Sequence, residues 1–376
     1  MKKLKLKSFR FVRLQILNIL RFLLVFGYLP RIPIHRSQKY KRNLFLNRKF
    51  FDKDRDDSIC GSAHNLRFTE FLLYAPEFIF RNGQRMESDF YFAYKNSLKE
   101  LNLNVKTCDT LSDLEKVLVP RQTMLIIEGY ALSTLSASQL QELSFFRKKG
   151  GFVFFDHPDL LESKKATKIL SLMFQTADFG VIHNPLINIQ RYKNRLILWP
   201  TYPFSNIFKN ETVKEKENSI LFSGTKYRGF NGRKFFLNYA LKQGLNVTDH
   251  MHNHNLTEKI LPRYTDYLSS LDSCNLSFTT GYRSYKESLL AFRVVELMLR
   301  GVVVLYEEQS IINFFFDPYE HYIPVQNGPD LCEKVTYLFS NPESIRRIAK
   351  NAAQYVDDNY SNSAFWQIVE NKTTKL

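Results

Sequence analysis

At 376 residues the chain exceeds what one hydrophobic core usually supports, so two domains are expected. Its 53 Lys and Arg against 37 Asp and Glu suggest a polyanionic partner until the charge is located. Residues 1–50 hold fourteen Lys and Arg and no acid, which leaves 39 against 37 elsewhere. A nearly neutral body excludes a general nucleic-acid binder, and the basicity belongs to an N-terminal arm.

On a helical plot of that arm, Lys3, Lys7, Arg10, Arg13, Asn18 and Arg21 share one side and Leu, Ile, Phe and Val take the rest. Arg21 splits the apolar run, and the uninterrupted stretch beyond it is too short to span about 30 Å of hydrocarbon. No small-residue cleavage site stands out. The first expectation is a basic amphipathic helix lying on an anionic membrane surface through residues 1–30. Packing on the protein's own surface and a marginal signal anchor are the alternatives. Cys60, Cys108, Cys274 and Cys332 are scattered without CxxC or zinc spacing, which reads as reduced thiols in a cytoplasmic protein.

From residue 71 a unit repeats: a short apolar run, then a longer amphipathic stretch. FLLYAP (71–76) reads as a strand and 88–101 as a helix. TMLIIEG (123–129) has the continuous apolar character of a strand buried on both faces. SASQLQELSFFRKKGG (136–151) reads as a helix with a Ser start and a double-Gly stop. FVFFDHP (152–158), ADFGVIH (177–183) and NRLILWP (194–200) supply three more strands. The polar stretch SNIFKNETVKEKEN (205–218) reads as a connection between domains.

The pattern then restarts: strand SILFSG (219–224), helix 232–244, helix 264–274, strand NLSFTT (275–280), helix 285–299, strand 302–306, strand HYIPV (321–325) and two terminal helices. Apolar strands alternating with helices imply parallel pairing with both faces covered. The fold class expected is α/β: two doubly wound, Rossmann-like domains facing a cleft, with ligands at the carboxyl ends of the strands. Expected boundaries are the basic arm 1–60, a first domain 61–204 that receives the acceptor, the connection 205–218, and a second domain 219–376.

The succession YTDYLSSLDSCNLSFTT, RVVELMLRGVVVLYEE and FFFDPYEHYIPVQNGPDLCEKVTYLFSNPESIRRIAKNA resembles the nucleotide-sugar-binding domain of GT-B glycosyltransferases. The closer likeness is to the branch holding spore-maturation-type, exostosin-like and CAP10-like transferases. SILFSGTKYRG resembles the first strand and loop of the same domain, and the first half of the chain matches in architecture alone. The resemblance implies a metal-independent glycosyltransferase with no cofactor beyond its nucleotide-diphosphate sugar. Many retaining members carry two glutamates eight apart. Here Glu296 holds the second position, Ser288 the first, and Glu287 lies one place off, which leaves inversion or retention open.

Such an enzyme must stabilise charge on a leaving diphosphate, which needs cations or N–H donors aimed at phosphate. The segment Gly224 to Gly229, between strand and helix, offers Gly224, Lys226 and Arg228, with solvated loop cations as the ordinary alternative. Arg293 and Glu296, three residues apart, could be a plain intrahelical pair. The resemblance instead implies that Glu296 accepts from ribose hydroxyls and Arg293 faces the phosphates. Arg283 and Lys286 are further cationic candidates.

For the base that takes the acceptor's proton, strand ends of the first domain are the place to look. Asp156, His157 and Glu128 are the candidates, with His183 behind them; the ordinary reading of each is a loop cap. His250, His252 and His254 alternate without a nearby carboxylate and read as a solvated loop rather than a metal site. The function expected is transfer of a sugar from a nucleotide-activated donor to a glycan or lipid-linked acceptor, in surface polysaccharide synthesis at the inner face of the cell membrane. No nucleic-acid partner is expected. A polyol-phosphate transferase on a related scaffold and a non-catalytic membrane-bound scaffold are the alternatives.

Overall fold

The structure, a computed structural model, describes residues 66–74, 89–108, 110–157, 166–204 apart from 186 and 188, 216–226, 232–253, 270–281, 290–308 and 311–375, with residues 47, 48, 51, 206, 209 and 268. The basic arm lies outside these apart from residues 47, 48 and 51. Two compact units divide between Lys209 and Asn210, within the polar stretch read as a connection. Among the described residues no helix is long and apolar enough to cross a membrane.

The first unit is built on six parallel strands: β1 (Glu70–Tyr74), β2 (Asn104–Cys108), β3 (Thr123–Glu128), β4 (Phe152–His157), β5 (Phe179–Ile182) and β6 (Leu196–Leu198), in the order β2-β1-β3-β4-β5-β6. Its helices are α1 (Asp89–Glu100), α2 (Gly129–Thr134), α3 (Ala137–Lys148) and α4 (Ala166–Thr176). The apolar runs become central strands because both faces are covered: β3 is buried from Thr123 to Ile127 and β4 from Val153 to His157. Helix α3 starts where the sequence placed it, since Ser136 and Gln139 form a reciprocal capping box. Strand β2 was not anticipated. It is the edge of the sheet, mostly exposed, and its polar residues Asn104 and Lys106 reach Glu70 of β1 rather than a core.

The second unit holds five parallel strands: β7 (Glu217–Lys226), β8 (Val247–Asn253), β9 (Cys274–Thr279), β10 (Val303–Glu307) and β11 (Ile323–Val325), in the order β11-β10-β9-β7-β8. Helices α5 (Gly232–Lys242), α6 (Arg293–Leu299), α7 (Gly328–Ser340) and α8 (Pro342–Tyr360) follow in chain order. Phe222, Phe278 and Leu305 from the strands pack with Phe236 of α5, Val335 of α7 and Ile348 of α8 in one core. Strand β8 corrects the reading of HMHNHN as a loop: His250 and His252 lie in it, His250 is exposed, and His254 is outside the described residues. Helix α6 starts at Arg293, with residues 290–292 non-helical, where a start at 285 was expected.

Numbered within each sheet, both orders begin 2-1-3-4-5, and the first sheet adds a sixth strand at the end. In each, the chain reverses its direction of travel between the first and third strand, β1 and β3 in one and β7 and β9 in the other. Open α/β sheets bind ligands at the carboxyl ends of the strands beside such a reversal.

The domain boundary differs from expectation at the C-terminus. Residues 357–376 belong to the first unit, not the second, so α8 begins in one unit and ends in the other. A further helix, α9 (Asn362–Thr373), then packs on the first sheet. Its start is held by Ser97 of α1, which donates to Asn362 Oδ1 and accepts from Trp366 Nε1 at 2.7 Å. Its end is held by Arg67, whose N–H donates to Glu370 at 2.9 Å, and by Lys372 Nζ donating to the carbonyls of Lys193 and Leu196. Between these, Trp366 meets Phe71 and Tyr94 edge-on. This helix was missed because its reason for existing is a surface nearly three hundred residues upstream.

Two features bear on stability. Trp366→Ala should destabilise the first unit by about 3–5 kcal/mol through the cavity and the lost bond to Ser97, read as a shifted urea midpoint with unchanged slope. In the second unit, His321 Nδ1 accepts the Asp317 N–H at 3.0 Å while its ring stacks on Tyr355 at 4.1 Å. Burial pushes its pKa below the ordinary 6.5 although Asp317 and Glu320 pull upward. The folded protein therefore binds this proton more weakly than the unfolded chain. Stability should be full above about pH 6.5 and fall as pH drops through the lowered folded value, and His321→Gln should flatten that slope in a pH series of thermal melts.

Candidate functional site

At the reversal point of the second sheet, Ser223 of β7 and Thr279 of β9 are buried, and their side-chain hydroxyls have no hydrogen-bond partner among the described residues. Buried hydroxyls in that condition mark a place where something else supplies the partner. The carbonyl of Ser223 is the meeting point of two arginines. Arg233, near the start of α5, donates from Nη1 at 2.8 Å, and Arg293, the first residue of α6, donates from Nη1 at 3.0 Å. One carbonyl oxygen has two lone pairs and can serve both. Two guanidiniums brought to one atom repel each other strongly in a partly buried setting, and an anion placed between them relieves that repulsion.

Glu296, one turn along α6, is 9% exposed. An ionised carboxylate at that position can accept from a diol. Lys226 is the last residue of β7, and Gly224 lies inside that strand, paired opposite Met251 of β8. The loop expected to begin at Gly224 thus starts later, because β8 extends the pairing through Lys226 and Asn253. Arg228, Arg283 and Lys286 lie outside the described residues. Arg233 was not singled out from the sequence. The signal available was its place at the head of the helix after the first strand.

In the first unit the carboxyl ends of the strands carry all the acid and imidazole candidates, in different settings. Asp156 is fully buried. It accepts from Tyr94 Oη at 2.7 Å and lies 2.7 Å from His183 Nε2, whose Nδ1 faces the Trp199 carbonyl at 2.8 Å. Burial, then the Asp156 carboxylate, holds the Tyr94 hydroxyl well above the ordinary tyrosine range, so it remains a donor. A carbonyl only accepts, so His183 Nδ1 carries a hydrogen, and one further proton lies between Nε2 and Asp156. The network ties the ends of β4, β5 and β6 to α1. Asp156 and His183, read as possible bases, are instead sealed in this link and cannot reach a substrate.

His157 points to the other face of β4 and is 4% exposed. Its ring packs so closely on Gly129 that a Cβ there would lie 2.7 Å from the imidazole. Glu128 is the one of the three predicted bases that keeps solvent access, being half-buried at the end of β3. It also borders the reversal point between β1 and β3. Among the described residues no group of three His, Cys, Asp or Glu could hold a metal ion.

Residues 233–370 match the family described as glycosyl transferase-like, a span that includes Arg233, Arg293 and Glu296. The fold is shared with solved GT-B structures at low identity. The Anabaena protein HepE in complex with UDP and glucose is 11% identical, with a TM-score of 0.55, over 82% of this chain and 100% of that one. An alpha-glucosyltransferase in complex with UDP-glucose and DNA is 12% identical, with a TM-score of 0.56, over 82% of this chain and 99% of that one. The DNA-modifying enzyme beta-glucosyltransferase is 13% identical, with a TM-score of 0.50, over 82% of this chain and 100% of that one. No curated protein sequence matches the chain. The expected α/β class with two Rossmann-like domains of GT-B type stands.

Exchange of partners in the buried network gives a direct test. Asp156→Asn lets a neutral His183 accept from the new amide, and should lower stability by no more than about 1 kcal/mol. His183→Phe strips the buried Asp156 side chain of its ring-nitrogen partner, and should lower it by about 3–5 kcal/mol in urea unfolding.

Proposed function

We propose that this GT-B chain is a glycosyltransferase that takes its sugar from a nucleoside diphosphate donor, UDP being the first choice. The observation that carries the reading is the convergence of Arg233 and Arg293 on Ser223 at the reversal point of the second sheet. The solved proteins of the same fold that hold UDP or UDP-glucose support the choice of nucleotide.

In the transfer, the bond between the sugar's anomeric carbon and the diphosphate breaks, and negative charge builds on the departing phosphate oxygens. Arg233 and Arg293 hold that charge, so that no metal step is required. Glu296 accepts from the ribose hydroxyls. The acceptor hydroxyl attacks the anomeric carbon and gives up its proton to Glu128, with His157 packed against the residue next to it in the chain. Asp156 supports the strand end without touching the reactants.

The order of motifs across the last hundred residues favours the branch with spore-maturation-type and exostosin-like transferases, and with it a glycan or lipid-linked acceptor in surface polysaccharide synthesis. The excess of Lys and Arg in residues 1–50 favours an anionic membrane surface at the inner face of the cell membrane as the place of work.

Release of UDP from UDP-sugars, with and without acceptor, tests the assignment. Arg233→Ala and Arg293→Ala should each lower kcat/KM by about 10²–10³. Glu128→Gln should lower kcat by about 10²–10⁴ while leaving UDP affinity alone. Full activity of the Glu128 variant would remove it from the mechanism. Wild-type protein that gains no thermal stability from any nucleoside diphosphate would overturn the function itself.

A further inference from the structure

Helix α6 is joined to strand β7 at both ends. At its start Arg293 donates to the Ser223 carbonyl at the carboxyl end of the strand. At its close Lys216, the residue leading into the strand, donates from Nζ to the carbonyls of Arg300 at 2.6 Å and Gly301 at 2.9 Å. The helix end is shaped to present those carbonyls. Arg300 N–H turns back to Glu296 and Leu297, Gly301 N–H to Met298 and Val302 N–H to Leu297. Gly301 adopts a φ of +64°, which a residue with a side chain rarely takes.

The charged surroundings of Lys216 are built to keep it there. Arg300 is held in two bonds by Asp272, at 2.7 and 2.6 Å, from the turn that precedes β9. Burial, with Arg300 adding to it, pushes Lys216 below the ordinary lysine range, and Asp272 and then Cys274 oppose that shift. An ammonium placed against desolvation and beside a guanidinium is expensive as mere surface decoration. Its two carbonyl contacts are what it does.

A helix of seven residues has little stability of its own, so its direction is set by whatever fixes its ends. We propose that Lys216 is a positioning residue for the donor site, acting through α6 to set the angle at which Arg293 and Glu296 meet the nucleotide. The role rests on the donor-binding function proposed above. Lys216 precedes the amino end of β7, whereas the site lies at the carboxyl end of that strand.

The full chain carrying Lys216→Met or Lys216→Arg, compared with wild type, provides the test. UDP affinity is measured by calorimetry, and amide hydrogen exchange is followed along the whole chain. In Lys216→Met, residues 293–299 should exchange faster while α5 and α7 keep their protection, and UDP should bind roughly tenfold more weakly. Lys216→Arg should restore both. Should Lys216→Met not fold, Lys216→Gln, which keeps a neutral donor, carries the same comparison. Unchanged exchange in α6, uniform loss of protection across the second unit, or unchanged UDP affinity would each overturn the role. Wild-type protein that binds no nucleoside diphosphate overturns the functional reading and the donor role together, whereas equal binding by wild type and Lys216→Met overturns the role of Lys216 alone.

Discussion

The carbonyl oxygen of Ser223 is the atom on which the second domain's chemistry depends. It lies within β7 and accepts from Arg233 and Arg293, which arrive from two different helices. Neither arginine could be held beside the other by salt bridges alone without spending its charge. A neutral backbone acceptor takes one N–H from each without neutralising either. That arrangement suits a ligand whose own charge is negative and which must be released once the reaction is over.

The first domain uses strand ends in two opposite ways. At the end of β4 the side chain of Asp156 is turned inward and hydrogen-bonded by His183, with Tyr94 completing the shell. Leaving either partner alone in that core would be costly, so the network behaves as a fastener for three strands. At the end of β3, beside the reversal point, Glu128 keeps access to solvent. Two acids one strand apart thus have unrelated tasks, and the difference is in what each is buried against.

Much of the fold was legible because apolar runs such as TMLIIE and VVVLYE are long enough to need cover on both faces, which parallel sheets with helices on each side provide. Ser136 announced a helix start through capping chemistry confined to a few residues, which Gln139 completes. The polar edge strands β2 and β8 escaped notice because an edge buries little, so its composition resembles that of a loop. Helix α9 escaped because its anchors, Ser97, Arg67 and the carbonyls of Lys193 and Leu196, are remote in the chain.

The amino-acid order by itself determined that there are two parallel α/β domains, that the chemistry sits at strand ends, and that Arg293 and Glu296 share a helix turn. Those properties come from local periodicity and hydrophobic cover. Only the tertiary structure decided that Arg233 joins Arg293, that Asp156 is spent on His183, and that the last twenty residues return to the first sheet. Each of these depends on which distant groups meet when the sheets close. A side chain's role is set by its neighbours in space, and hydrophobic periodicity carries no record of them.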